Sequence, residues 1–299
     1  MKFISRDNID LQKWDDLVLK TPGSSVFSLS VYLDEIAENW MVYVDENYTK
    51  GIAAPFASRL GVKTCYTPIF VTTLEWLGED SGELVTFFEE VKSVFPLGNF
   101  CIRQQSEKQD CTMYVEQIIQ PHSTIEIGSQ AKRMLNKSQK VGHRIEYSND
   151  PKPILALIRS ELLPKISSLT EASIERLERT LRRLDAAQSV RILSVFDKQQ
   201  FIGGLFLIDF NDTVLYLKGA FTDEAKKNGA MYNAMNFAIQ QARKEGKTFD
   251  FGGSRMEGVR HFNHQLGGAD RNYYCCQWDN SPSWYRVVKS CRNLLQKKR

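Results

Sequence analysis

Residues 41–56 read MVYVDENYTKGIAAPF, and residues 193–206 read LSVFDKQQFIGGLF. In each, a β-rich run ends at an aspartate, Asp45 or Asp197. A glycine follows six positions later, Gly51 or Gly203, and opens another apolar run. β-Branched and aromatic residues on both sides of an acidic cluster predict strand, turn, strand. A third strand follows in each copy, at 64–70 and at 214–221, and the offset stays at about 150 residues.

The flanks repeat with the strands. Two helical stretches precede each set, at 9–20 and 29–39 and again at 151–163 and 171–187. In the last of these, Ile174, Leu177, Leu181 and Leu184 recur at helical spacing. One more helix follows, near 81–95 and 229–245, and then a strand, NFCIRQ at 99–104 and TFDFGG at 248–253. Each half therefore reads α-α-β-β-β-α-β. A β-α-β unit forces its two strands to run parallel with the helix on one face. Ligands of such sheets bind beyond the carboxyl ends of the strands. That places a site near Gly219–Phe221, Asn228–Met231 and Gly252–Arg255.

This element order resembles the GNAT N-acyltransferase fold. The expected class is α/β (α+β), with tandem duplicated GNAT-like domains, each a mixed sheet flanked by helices. The expected boundaries are 1–118, joined by a C-terminal helix at 282–299, and 119–281, which holds the donor site. The chain has 299 residues, 42% of them apolar, enough for two cores. A net charge of +3 implies no dominant nucleic-acid field. Residues 1–14 lack an apolar signal core, and no apolar run reaches the ~18 residues of a spanning helix. The six cysteines have no CxxC spacing and read as thiols of a reducing compartment, so the expectation is a cytoplasmic protein.

The segment FDFGGSRMEGVRHFNHQLGGADRNYY, residues 249–274, concentrates reactive side chains. Paired glycines after a strand let backbone approach a ligand, and Ser254, Arg255, Glu257, His261 and Asn263 follow. The pattern of Ala242, Gly246, Asp250, Phe251, Gly253, Ser254, Gly258, Phe262 and Gly267 resembles the second half of FemABX-like peptidyltransferases and their acetyltransferase relatives. Trp14, Pro22, Val26-Phe27-Ser28, Gly51, Pro55 and Tyr66-Thr67-Pro68 resemble the family's opening. The resemblance implies attack of a neutral amine on an activated acyl carbonyl. No cofactor is expected to be bound permanently; acyl-CoA is the expected co-substrate, with aminoacyl-tRNA as the alternative, which Asn263 in place of the family lysine argues against. Where Fem-type enzymes carry a lysine after the phenylalanine, this chain has Asn263. A neutral amide keeps a hydrogen-bond donor for an oxyanion but loses the charge, for which Arg255, Arg260 or His264 are substitutes.

Asp250, Glu257 and His261 are the candidate bases, with Asn263 as oxyanion donor and Tyr216 or Tyr232 as acid for the leaving group. Lys226-Lys227-Asn228-Gly229-Ala230 opens a helix whose free amides suit a phosphate, so these five residues and Lys218 are the candidate cofactor contacts. Gly253, Ser254, Arg255, Phe262, Tyr216, Arg133 and Lys137 are the candidate substrate contacts. Arg133, Lys137, Lys140 and Arg144 share a helical face that reads as solvated, or as a seat for a phosphate or a tRNA end. Pro68, Ile69 and Phe70 are candidate acceptor walls. His261 and His264 have chelating spacing, but no further ligand stands nearby in sequence, so no metal is expected. The tail WYRVVKSCRNLLQKKR reads as a basic amphipathic helix packed back on the first half.

The expected partner is a small-molecule, peptide or nucleotide-linked amine acceptor bound between the two domains. The leading expectation is an N-acyltransferase. Its alternatives are an aminoacyl-tRNA-dependent peptidyltransferase acting on a cell-wall precursor, and a non-catalytic binding protein on the same fold.

Overall fold

The repeated strand order is realised within one continuous sheet. The computed structural model of the chain describes residues 1–79, 81–105, 111–186 and 188–296. The first half runs β1 (Lys2–Ser5), α1 (Leu11–Lys20), α2 (Ser30–Ile36), β2 (Asn39–Val44), β3 (Gly51–Arg59), β4 (Val62–Tyr66), α3 (Leu84–Val94) and β5 (Leu97–Ile102). β6 (Cys111–Ile119) and α4 (Ser129–Val141) connect the halves. The second half repeats the order as β7 (Arg144–Ser148), α5 (Lys152–Leu157), α6 (Glu171–Asp185), β8 (Val190–Asp197), β9 (Gln200–Phe210) and β10 (Thr213–Phe221). It continues through α7 (Asp223–Lys227), α8 (Ala230–Lys244) and β11 (Thr248–Asp250) to α9 (Glu257–Gln265), β12 (Ala269–Asp279) and α10 (Ser283–Gln296).

The strands lie in the order β1-β2-β3-β4-β5-β12-β6-β11-β10-β9-β8-β7. Exchanging each strand for its counterpart in the other half reads this list backwards into itself. The topology thus has a two-fold relation that passes between β12 and β6. β6 leaves the first half to pair with β11, and β12 returns to pair with β5. The two exchanged strands pair antiparallel with each other from Ala269↔Ile118 to Cys276↔Cys111. The expected boundary between 118 and 119 falls at the last residues of β6. Sequence reading supplies neither the leading strands β1 and β7 nor the exchanged pair. β6 and β12 each find their partners far along the chain, where no local pattern points.

Each half keeps its own helical cover. In the first, Asp10 caps α1 by accepting from the Lys13 amide at 3.2 Å, and Trp14, Leu17 and Val18 are buried beneath it. The Trp14 indole donates to the Ser28 carbonyl at 2.8 Å, so its polar edge is satisfied inside the core. In the second, Thr170 and Ser173 form a capping box at the start of α6. Ile174, Leu177, Leu181 and Leu184 are all buried, as their spacing predicts.

Two expectations are corrected. Cys101 is disulfide-bonded to Cys275 and Cys111 to Cys276, whereas Cys65 is a buried free thiol. Cys275 and Cys276 are neighbours on β12, and each stands directly opposite its partner on β5 or β6. The bridges therefore fasten the exchanged strand on both sides. The separations of 174 and 165 residues explain why spacing gave no hint of them. The Cys291 side chain and residues 297–299 lie outside what is described. The tail helix is not packed back along its apolar side: Trp284, Val287 and Val288 of α10 are exposed. Among the described residues no helix is long and apolar enough to cross a membrane.

Candidate active site between the halves

β10 and β11 run parallel over only three rows, Thr213↔Thr248, Val214↔Phe249 and Leu215↔Asp250. Beyond Asp250 the strands part, while β10 continues alongside β9 to Phe221. This parting opens a cleft of about 420 Å³. Its second-half wall is Tyr216, Leu217 and Lys218 on β10, together with Gly252, Gly253, Ser254 and Arg255 beyond β11. The first half contributes Thr67 and the run Ile69 to Thr72.

The equivalent gap between β4 and β5 is closed by its own chain. The Thr67 amide donates to Asn99 O at 3.1 Å, the Leu74 amide to Cys101 O at 3.0 Å, and the Arg103 amide to Leu74 O at 3.0 Å. The same run leans across the seam, where the Thr72 hydroxyl donates to the Gly252 carbonyl. One half's gap is thus plugged by a segment that also walls the other's. Gly252 and Gly253 have φ of +75° and +66°, and a Cβ at 253 would press on Thr72, so the turn requires glycine there.

The cleft carries positive charge. Lys218 and Arg255 line it, and no Asp, Glu or His is among the described lining residues. Burial pulls the Lys218 ammonium below its ordinary pKa. The Arg255 guanidinium donates to the sulfurs of Cys101 and Cys275 at 3.2 and 2.9 Å and lies over the Tyr114 ring at 4.3 Å. Burial pushes the Tyr216 phenol well above its ordinary value, so it stays protonated; its ring packs in the same cluster as Tyr232 and Phe262.

Beneath this floor lies a buried charge cluster, of which only Asp250 is among the sequence-based candidates. Glu116 on β6 is 1% exposed, and its carboxylate accepts from Arg271 Nε at 2.7 Å. Arg271 also donates to Asp250 at 2.5 Å, and Arg103 stands 3.9 Å from Glu116. Burial and then the neighbouring Asp250 charge push the Glu116 carboxyl up to about 7, against the pull of both arginines. Gly253 lies directly over it: a Cβ built there would be 3.4 Å from the Glu116 Cβ. On the other side, Asp250, Arg271 and Arg103 line a second, smaller cavity of about 170 Å³ at the opposite end of β10 and β11, and Phe27 lines both cavities. The available signal was an acid inside the apolar strand run MYVEQII, on the same strand face as Tyr114 and Ile118.

The remaining candidates fall elsewhere. Tyr216, Lys218, Gly253, Ser254 and Arg255 meet in the cleft, with Ile69 and Phe70 but not Pro68. Asp250 belongs to the buried cluster. Asn263 is buried at 2% exposure and donates to Gln117 Oε1 at 3.0 Å. Gln117 follows Glu116 and so points to the opposite face of the sheet, which removes Asn263 from the cleft. Phe262 packs on Tyr232 on that same far side. Glu257 and His261 face solvent there, with His261 3.2 Å from Gln130, and His264 pairs with Asp270 at 2.7 Å. Asn263→Ala is therefore expected to lower stability by about 1–3 kcal/mol, the cost of leaving the buried Gln117 Oε1 without a donor, while Gln117 Nε2 keeps its bond to Asp270 at 2.8 Å. Thermal or urea unfolding checks this, and ligand affinity should not change.

The helix-entry turn is covered as well. Gly229 has φ +80° and is buried, and a Cβ there would collide with the Met134 carbonyl of α4. Ala230 is fully buried, and Lys137 donates to Lys227 O at 2.9 Å. Lys226 pairs with Asp223 at 3.0 Å. Asn228 stands in the same turn as the α7 C-cap. Arg133 on α4 is exposed and close enough to Tyr232 to act on it electrostatically. The amides expected to seat a coenzyme pyrophosphate thus lie under a helix that has no counterpart in the first half.

Comparison with known proteins agrees with this architecture. Residues 132–263 match the family model described as an acetyltransferase (GNAT) domain. The structure of FemX is similar at a TM-score of 0.62 and 12% identity, over 92% of this chain and 97% of FemX. The structure titled L-PGS from Bacillus licheniformis is similar at 0.59 and 13% identity, over 95% of this chain and 96% of that one. A tandem GNAT protein from the clavulanic acid biosynthesis pathway aligns at 0.50 and 9% identity, over 94% of this chain and 99% of its own. No curated protein matches.

Proposed function

On the premise of a FemABX-like GNAT fold, we propose that this chain is an N-acyltransferase that moves an acyl or aminoacyl group onto an amine in the cleft between its halves. The observation that carries the reading is the cleft itself. It lies where parallel strands part, holds Lys218 and Arg255 without a lining carboxylate, and has Glu116 beneath its glycine floor.

The chemistry follows from these groups. An alkyl ammonium has a pKa of about 10.4, so the attacking amine has to lose a proton. The ammonium gives up that proton to solvent before attack, and as the C–N bond forms the amine's N–H proton passes through a water at the cleft floor to the Glu116 carboxylate. Lys218 and Arg255 stabilise charge that builds on the acyl oxygen or on the donor's phosphate. The C–O or C–S bond to the leaving group then breaks, the leaving atom takes up a proton from water in the cleft, and Glu116 returns its proton to solvent.

Because α4 covers the α8 turn, we favour an aminoacyl ester donor of the tRNA type over acyl-CoA. The likeness to FemX and L-PGS supports the same choice, against the loss of the Fem-type lysine at Asn263. Thermal-shift and turnover measurements with acetyl-CoA and with charged tRNA, against a panel of primary amines, test the reading. Transfer from charged tRNA supports it, transfer from acetyl-CoA alone corrects the donor, and silence with both favours a non-catalytic binding protein.

A further inference from the structure

We propose that α10 and the β3–β4 turn form a docking surface for an anionic lipid membrane. The inference is independent of the acyltransfer reading.

α10 leaves the sheet directly after β12. Its base is fixed: the Asn280 amide donates to Pro96 O at 2.7 Å, Arg286 Nε to Ser281 O at 3.0 Å, and Lys289 pairs with Asp279 at 3.8 Å. Beyond that base the helix shows its apolar side to solvent, with Trp284 51%, Val287 63% and Val288 44% exposed. Arg286 and Lys289 are interleaved with it, and the sequence has no acidic residue from Asn280 to Arg299.

A second apolar group stands at the same end of the sheet. Leu60, at the turn between β3 and β4, is 67% exposed and held at φ +51°. Leu97 pairs with Thr64 on one side and with Asp279 on the other. The 60–61 turn and α10 therefore both project beyond that row. Arg59 and Tyr285 are near enough to interact electrostatically across the gap.

This combination selects the partner. A helix with Trp and Val on one face and only cations among its charged residues suits the boundary between headgroups and acyl chains. The tryptophan and the aliphatic side chains enter the boundary while lysine and arginine meet anionic headgroups. A nucleic-acid backbone would use the cations but leave the valines in water. An acidic protein would have no place for them either.

The test uses the full chain with vesicles of phosphatidylglycerol and phosphatidylcholine in equal parts, against vesicles of phosphatidylcholine alone. Co-sedimentation should be at least about tenfold stronger on the anionic vesicles and should fall with added salt. Trp284→Glu with Val287→Glu should abolish it, with an unchanged circular dichroism spectrum. Both positions are exposed, so the fold does not depend on them. Absence of binding to anionic vesicles, equal binding to neutral ones, or binding that survives the double substitution overturns the proposal. So does a sedimentation dimer, or binding of single-stranded RNA, that the same substitutions disrupt while vesicle binding is absent.

Discussion

Replacing Glu116 with glutamine is expected to slow acyl transfer by about 10²- to 10⁴-fold, the range for loss of a positioned general base. The cleft lining offers no carboxylate or imidazole among the described residues, and Glu116 lies directly behind Gly253. Its carboxyl is held up at about 7 by burial and by Asp250 on β11, while Arg271 on β12 and Arg103 beyond β5 pull it down. The rate of the unsubstituted chain should therefore rise through about pH 7 as the carboxylate forms, and that limb should vanish in Glu116→Gln.

Stability should move the opposite way. Glu116 binds its proton more tightly in the folded chain than at its ordinary value of 4.5. Its stabilising contribution is then complete below about 4.5 and is lost as the pH rises through about 7. Urea midpoints between pH 5 and 8 should fall with pH in the unsubstituted chain and flatten over that window in Glu116→Gln. A rate loss with an unchanged pH profile would mean a structural role only. Glu116→Asp, which keeps the charge, should restore part of the pH limb.

Lys218→Ala is the second large effect. Removing one preorganised charge from a developing oxyanion costs about 10²- to 10³-fold in rate. The lysine is held in the cleft at a depressed pKa, with burial as the only cause. Its removal should therefore leave the melting temperature unchanged or slightly raised, since a poorly solvated cation disappears. Lys218→Arg should recover part of the rate. Steady-state kinetics with the donor found by screening, beside a melting curve, decide it. Full activity in Lys218→Ala would remove this residue from the chemistry.

The parts of this molecule that the sequence revealed are those with local causes. Alternating β-rich runs around Asp45 and Asp197, and the helical spacing of Ile174 to Leu184, each report on neighbours a few residues away. Those elements appear where expected. Tyr216, Lys218 and Gly253 to Arg255 line the cleft at the end of a parallel strand pair, and that strand pair too was legible from local pattern. What stayed hidden depends on distant pairing. Neither β6 nor β12 carries a mark of the half it joins, and the four bridged cysteines meet only because those strands exchange. Glu116 reads as one acid in an apolar run until β6 lies beside β11 and β12. Asn263 lies away from the cleft for a related reason. The α9 segment is rich in polar side chains, but its inward positions pack on the far side of the sheet and its outward ones meet water.

The account stands on the cleft at the parting of β10 and β11 as the seat of the acyl donor. A crystal structure with an unreactive amide analogue of an aminoacylated adenosine tests that most directly. The account predicts density for the acyl group between Lys218 and Arg255, above Gly253. Density at the Gly229 turn of α8, with α4 displaced and the cleft vacant, would contradict it.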